Sequence, residues 1–142
     1  MQEQNYKNHT RYIPAWHIVT TLLICGLLGG SIFNLMNTEP SNHYSAALIV
    51  LVAIIFVLVF WYARWFAIRA QDRAIRAEEN FRCYILTGKP LNPALRLGQI
   101  IALRFASDAE YAALSERAVK ENLSQKQIKE AIQNWKGDYH RV

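Results

Sequence analysis

Two stretches of the chain contain no Asp, Glu, Lys or Arg: residues 15–36, AWHIVTTLLICGLLGGSIFNLM, and residues 46–63, AALIVLVAIIFVLVFWYA. A helix rises about 1.5 Å per residue, so roughly 20 residues cross a hydrocarbon core of about 30 Å. Both stretches reach or approach that length, and Trp61 and Tyr62 extend the second at its interfacial end. Helices at the surface of a soluble core carry a polar stripe, and neither run has one. A secretory signal has an apolar region of about 7–15 residues, shorter than the first run, and here a second span follows closely. The pattern predicts two transmembrane helices, 15–36 and 46–63, joined by a loop at 37–45.

After Ala63 the apolar positions narrow without disappearing. Phe66, Ala70, Ala74, Ala77, Phe81 and Tyr84 recur at spacings of 4, 4, 3, 4 and 3, which is one helical face. Strong helix formers dominate, and the first breakers are Thr87-Gly88 and Pro90. The second span therefore should run on as one helix from about Ser45 to Leu86, about 60 Å, with 64–86 as an extension beyond the membrane. Asp72 with Arg76 and Glu78 with Arg82 have the spacing of i,i+4 ion pairs. The stripe needs a partner: the later helices of the chain, a second copy or a foreign subunit. An alternative is a bend at Trp65 that lays 64–86 in the headgroup layer as an amphipathic anchor.

The last third reads as three short amphipathic helices. Asn92-Pro93 has the form of a cap with Pro at the first helical position, and Ala94, Leu97, Ile101 and Phe105 share a face. Ser107 with Glu110 and Ser124 with Gln127 have capping-box spacing. Ile128, Ala131, Ile132 and Trp135 follow the second box, and Gly137 is placed to end that helix. None would be stable alone. Packed together on the Phe66–Tyr84 stripe, they make a small C-terminal cap, 92–142. The expected fold is an all-α membrane protein: a two-span helical hairpin, a long cytoplasmic helix extension and a helical cap.

Charge supplies the orientation. The chain carries a net +5, and all sixteen Lys and Arg lie outside the loop between the spans. Residues 1–14 hold Lys7 and Arg11 against Glu3; residues 64–106 hold eight basic residues against three acidic; residues 107–142 are balanced. The positive-inside rule then places both termini, including the segment 1–14, in the cytoplasm. The basic excess hugs the membrane, where anionic headgroups attract each Lys or Arg by about 1 kcal/mol. Arg64, Arg69, Arg73 and Arg76 are the expected headgroup contacts, and Trp16, Trp61 and Trp65 the interfacial anchors. The neutral tail argues against nucleic acid as a partner, despite a superficial helix-turn-helix look around Asn122-Leu123-Ser124.

Reactive constellations do not emerge from the sequence. It has no Gly-rich phosphate loop, no zinc-type Cys/His spacing and no nucleophile elbow. Cys25 and Cys83 should lie at different depths, which argues against a disulfide. The four histidines fall on separate segments, with His17 beside Trp16 best read as an interfacial anchor. The spans lack the ionisable groups that proton relays and transporters need. No catalytic residue, metal or cofactor is expected. Gly26 and Gly30 have GxxxG spacing, with Thr21, Cys25 and Gly29 in a row beside them; such faces let helices approach closely in lipid. The first span should pack through them on the second span or on another subunit. The expected function is non-enzymatic: an accessory subunit or scaffold of a membrane complex, or a homo-oligomer. The alternatives are a binder of a lipid- or quinone-type ligand between Trp61, Trp65 and the cap, and a tethered regulator of a soluble partner.

Three segments, EQNYKNHTRYIP, RWFAIRAQDRAIRAEENFR and IALRFASDAEYAALSERAVKENLSQKQIKEAIQNWKGDYHRV, together resemble an uncharacterised family of small bacterial two-span membrane proteins. That family is known as a domain of unknown function, and some members carry a transporter-permease label. The resemblance spans nearly the whole chain, with ALRFASD and IQNW its most specific parts. It implies a bacterial inner-membrane location and carries over no activity or site residues.

Overall fold

The computed structural model describes residues 4–6, 8 and 12–138. It is all-helical, with no strand among the described residues. The chain forms two compact units, Tyr12–Ala67 and Ile68–Val142 with Met1–Arg11.

In the first unit a π-helical turn, Ala15–Thr20, leads into α1, Thr21–Asn37. The wide turn exposes carbonyls that side chains take up, as where Thr20 Oγ1 donates to Ala15 O at 3.1 Å. A 3₁₀ turn at Pro40–Asn42 reverses the chain into α2, His43–Thr87. Trp16 stacks on Phe60 at 4.7 Å, so the chain has doubled back and the two helices lie side by side. The buried positions of this unit are small: Ser31 on α1 and Ala46 and Ala53 on α2. Half-buried Ile24, Leu28 and Leu35 flank Ser31 at helical spacing.

α2 is one continuous helix, as the lack of breakers predicts. It ends at Thr87, where Gly88 takes φ +70° and its N–H bonds Tyr84 O at 2.8 Å. That left-handed conformation suits glycine after a helix terminus.

The second unit joins the C-terminal part of α2 to α3, Leu97–Leu103, α4, Asp108–Lys120, and α5, Gln125–Ala131. Its core gathers Ile75 and Cys83 from α2 with Ile100, Leu103, Tyr111, Leu114 and Ile128. Here the sequence reading needs correcting. Phe66, Ala70, Ala74, Ala77, Phe81 and Tyr84 are all exposed. The face of α2 turned to the cap carries Ile75, Glu79 and Cys83, on the opposite side of the helical wheel. Counting apolar positions fails because two of the groups packed there, Glu79 and Arg82, are charged. The expected pairs of Asp72 with Arg76 and Glu78 with Arg82 do not form; Arg82 turns to Glu79 and Asp108 instead.

The two capping boxes open α4 and α5 where the sequence places them, at Ser107 and Ser124. Asn92 starts only a turn, its Oδ1 accepting the Ala94 N–H at 2.9 Å, and α3 begins later, capped by Arg96 and Gln99. The buried face of α3 includes Gln99, whose carboxamide donates to Ala118 O and Leu123 O, while Ala94 is exposed. α5 stops at Ala131, short of Trp135. The carboxylate of Glu110 takes the N–H groups of Gln133 and Asn134, and Trp135 stacks on Phe105 at 4.8 Å. These contacts draw the chain out of helix toward the α3–α4 junction.

Candidate interaction faces and an arginine-lined cleft

The glycine row on α1 does not touch α2. Cys25, Gly26, Gly29 and Gly30 are exposed and Thr21 is half-buried. A Cβ added at any of the three glycines would meet nothing within 4 Å. With 100° per residue, Gly26 and Gly30 lie opposite the face of Ile24, Leu28 and Ser31, the more buried side of α1. The expectation that the first span uses this row against the second is therefore corrected: within the chain the row is an open face.

The second open face is the Phe66–Tyr84 stripe. Phe81 is 67% exposed and Tyr84 56%, both outside the apolar run. Trp61 and Trp65 are also exposed, and Trp65 leans on Phe66 with ring centroids 5.2 Å apart. Trp16 is held instead by Phe60, and His17 by Ile13 O at 2.9 Å and the Tyr12 ring at 4.7 Å.

The arginines of α2 divide into two kinds. Arg82, with a side chain 12% exposed, is a hub: Nε and Nη2 donate to Asp108 Oδ1 at 2.8 and 2.6 Å, and Nη2 to Ala106 O at 2.6 Å. Its Nη1 reaches Glu79 Oε2 at 3.3 Å, and the guanidinium lies 4.5 Å over the Tyr111 ring. Burial pushes the Glu79 carboxyl above its ordinary value, against the pull of Arg82. Asp108, at the exposed end, is held below its ordinary value by the hydrogen bond from Arg82. Burial, with the charge of Glu79, pushes the Tyr111 hydroxyl up, so it stays a donor, to Glu79 O at 3.3 Å. Sequence reasoning missed this cluster, because nothing in the local pattern separates Arg82 from its neighbours.

Arg73 and Arg76 are the other kind. Both are exposed, and no hydrogen bond or ion pair reaches either guanidinium among the described residues. They line a cleft of about 500 Å³ with Ala77, Asn80 and the 91–95 loop. Arg64 is half-buried and Arg69 exposed. Among the described residues no group of three His, Cys, Asp or Glu side chains is placed to hold a metal ion.

The fold defines an all-helical protein with two helices long and apolar enough to cross a membrane. The chain belongs to DUF6526, a family of unknown function, whose model matches residues 1–142. No curated protein and no solved structure matches it significantly.

Proposed function

We propose that the protein is a non-enzymatic component of the bacterial inner membrane that acts by interaction, assembling with copies of itself or with another membrane subunit. The observation that carries this reading is that each long helix keeps one face against its own chain and leaves an opposite, packable face open. On α1 that face is the Gly26/Gly30 row; on α2 it is the Phe66–Tyr84 stripe. From Ala70 to Tyr84 the stripe recurs at 4, 3, 4, 3, the spacing of a coiled-coil seam, which favours a helical partner.

Membrane residence is supported by exposure. Between residues 12 and 63 only Ser31, Ala46 and Ala53 are buried, while side chains such as Leu23 (69% exposed) and Phe33 (70%) face outward. Water penalises so large an apolar surface, and lipid does not. Gln4 and Asp138 exchange two hydrogen bonds, of 2.9 and 2.8 Å, which fits two chain ends on one side of a membrane crossed twice. The Lys and Arg distribution makes that side the cytoplasm.

A photo-crosslinking residue placed at Ala74 of the full chain, expressed in bacteria, tests both parts. The reading expects the protein in the membrane fraction, with a protein crosslink that is absent when the probe sits at Glu116. Protein in the soluble fraction, or no crosslink at 74 beyond that control, overturns it.

A further inference from the structure

The cleft on α2 has a one-sided chemistry. Arg73, Arg76 and Asn80 form one wall, and Leu91, Asn92 and Pro93 face them, with buried Leu95 and Ile100 beneath. Asn80 Oδ1 accepts the Leu91 N–H and Asn92 Oδ1 accepts the Ala94 N–H, each at 2.9 Å. A backbone N–H can only donate, so both amides are oriented with the oxygen engaged and the NH₂ group left over. The polar side chains of the lining then all offer donors, two guanidiniums and two amide NH₂ groups, and no carboxylate lines the cleft. Asp72 and Glu78, the acids closest in sequence, pair with neither arginine. Elsewhere in the chain Arg82, Arg104 and Arg117 each hold a carboxylate. Two like charges one turn apart on a helix repel, and a shared anion removes that cost.

We propose that this cleft binds a phosphate-type oxyanion. The planar guanidinium fork matches phosphate in a bidentate way, and the two amides add donors from the other directions. The volume suits a headgroup-sized ligand, and the apolar floor suits one whose phosphate is joined to carbon. The shared chemistry fits both the headgroup of an anionic phospholipid and a soluble phosphate. The site lies wholly within residues 73–100 and does not depend on the assembly reading. Ala77 belongs to both the cleft and the stripe, so an anion and a partner helix would be neighbours.

The test uses the full chain in a neutral maltoside detergent. Native mass spectrometry follows retention of phosphatidylglycerol against phosphatidylcholine, and amide shifts of Leu91 and Ala94 follow inorganic phosphate. Preferential retention of phosphatidylglycerol without a phosphate response identifies a lipid headgroup; a response to phosphate identifies a soluble ligand as well, and either supports the site. Arg73→Gln with Arg76→Gln should weaken binding roughly 30-fold, two charge contacts of ordinary strength. Asn92→Asp keeps the oxygen that holds the Ala94 turn but turns a donor into a negative charge, and should weaken binding at least about tenfold. That single change carries the test should the double variant not fold. Neither probe binding, or an equal loss in the charge-matched control Lys120→Gln with Lys126→Gln, overturns the proposal.

Discussion

Arg82 ties the cap to α2 through several hydrogen bonds. It joins Glu79 on its own helix to Asp108 and to Ala106 O at the α3–α4 junction. Breaking a buried pair by removing one partner leaves an uncompensated charge and costs about 3–5 kcal/mol. Arg82→Met should therefore lower the melting temperature of the full chain in detergent sharply, at the lower end of that range because Asp108 is exposed. Adding Glu79→Gln should restore part of the loss; a double variant no better than the single would show that Glu79 is not the stranded group. Glu110 gives a prediction in pH. Its partial burial acts to raise the carboxyl, but the N–H groups of Gln133, Ser107 and Asn134 and the Ser107 hydroxyl outweigh it, and the net shift is below the ordinary 4.5. A lowered folded value contributes stability that is complete above the unfolded value and is lost as pH falls through the folded one. Glu79 works in the opposite sense: its raised carboxyl takes up a proton in the folded state first, and its share of stability declines as pH rises. The difference between the parent chain and Glu110→Gln isolates Glu110, and it should shrink between about pH 5 and about pH 3. A constant difference would contradict the role. At this scale the sequence was only partly legible. The Ser107–Glu110 box follows from spacing, but the reach of Glu110 to residues 133 and 134 is a tertiary contact with no local signal.

Among the elements, the two long helices were readable from run length and absent breakers, because both signals are local. Which face each helix buries was not. Apolar periodicity pointed to Phe66–Tyr84, and the cap chose Ile75, Glu79 and Cys83, since satisfied charges can be buried where a hydrophobic count scores solvent. Likewise small-residue spacing marked Gly26 and Gly30, while the buried positions of the two apolar helices are Ser31, Ala46 and Ala53. The end of α5 was misjudged because Trp135 fits helical spacing equally well, yet its ring is stacked on Phe105. The contrast between the two faces of α1–α2 is testable. Ala53 is fully buried, so Ala53→Leu overpacks the helix pair and should cost about 1–3 kcal/mol in melts of the solubilised chain. Gly26→Leu meets open space and should leave that melt unchanged or slightly raised. In a monomeric preparation, equal destabilisation by both would place the glycine row in the intrachain contact.

For the whole molecule, two helices are long and apolar enough to cross a membrane, and membership of DUF6526 over residues 1–142 is consistent with the uncharacterised family its segments resemble. The proposed function rests on surfaces: a glycine face on α1 and an aromatic and alanine face on α2, both open in the single chain. The most direct measurement is the native mass of the full chain, gently extracted from its own membrane, with every co-purifying chain identified, beside the variant Gly26→Leu with Gly30→Leu. An assembly heavier than one chain, reduced in the variant, is the expected result. A wild-type protein that leaves the membrane as a bare monomer would contradict it.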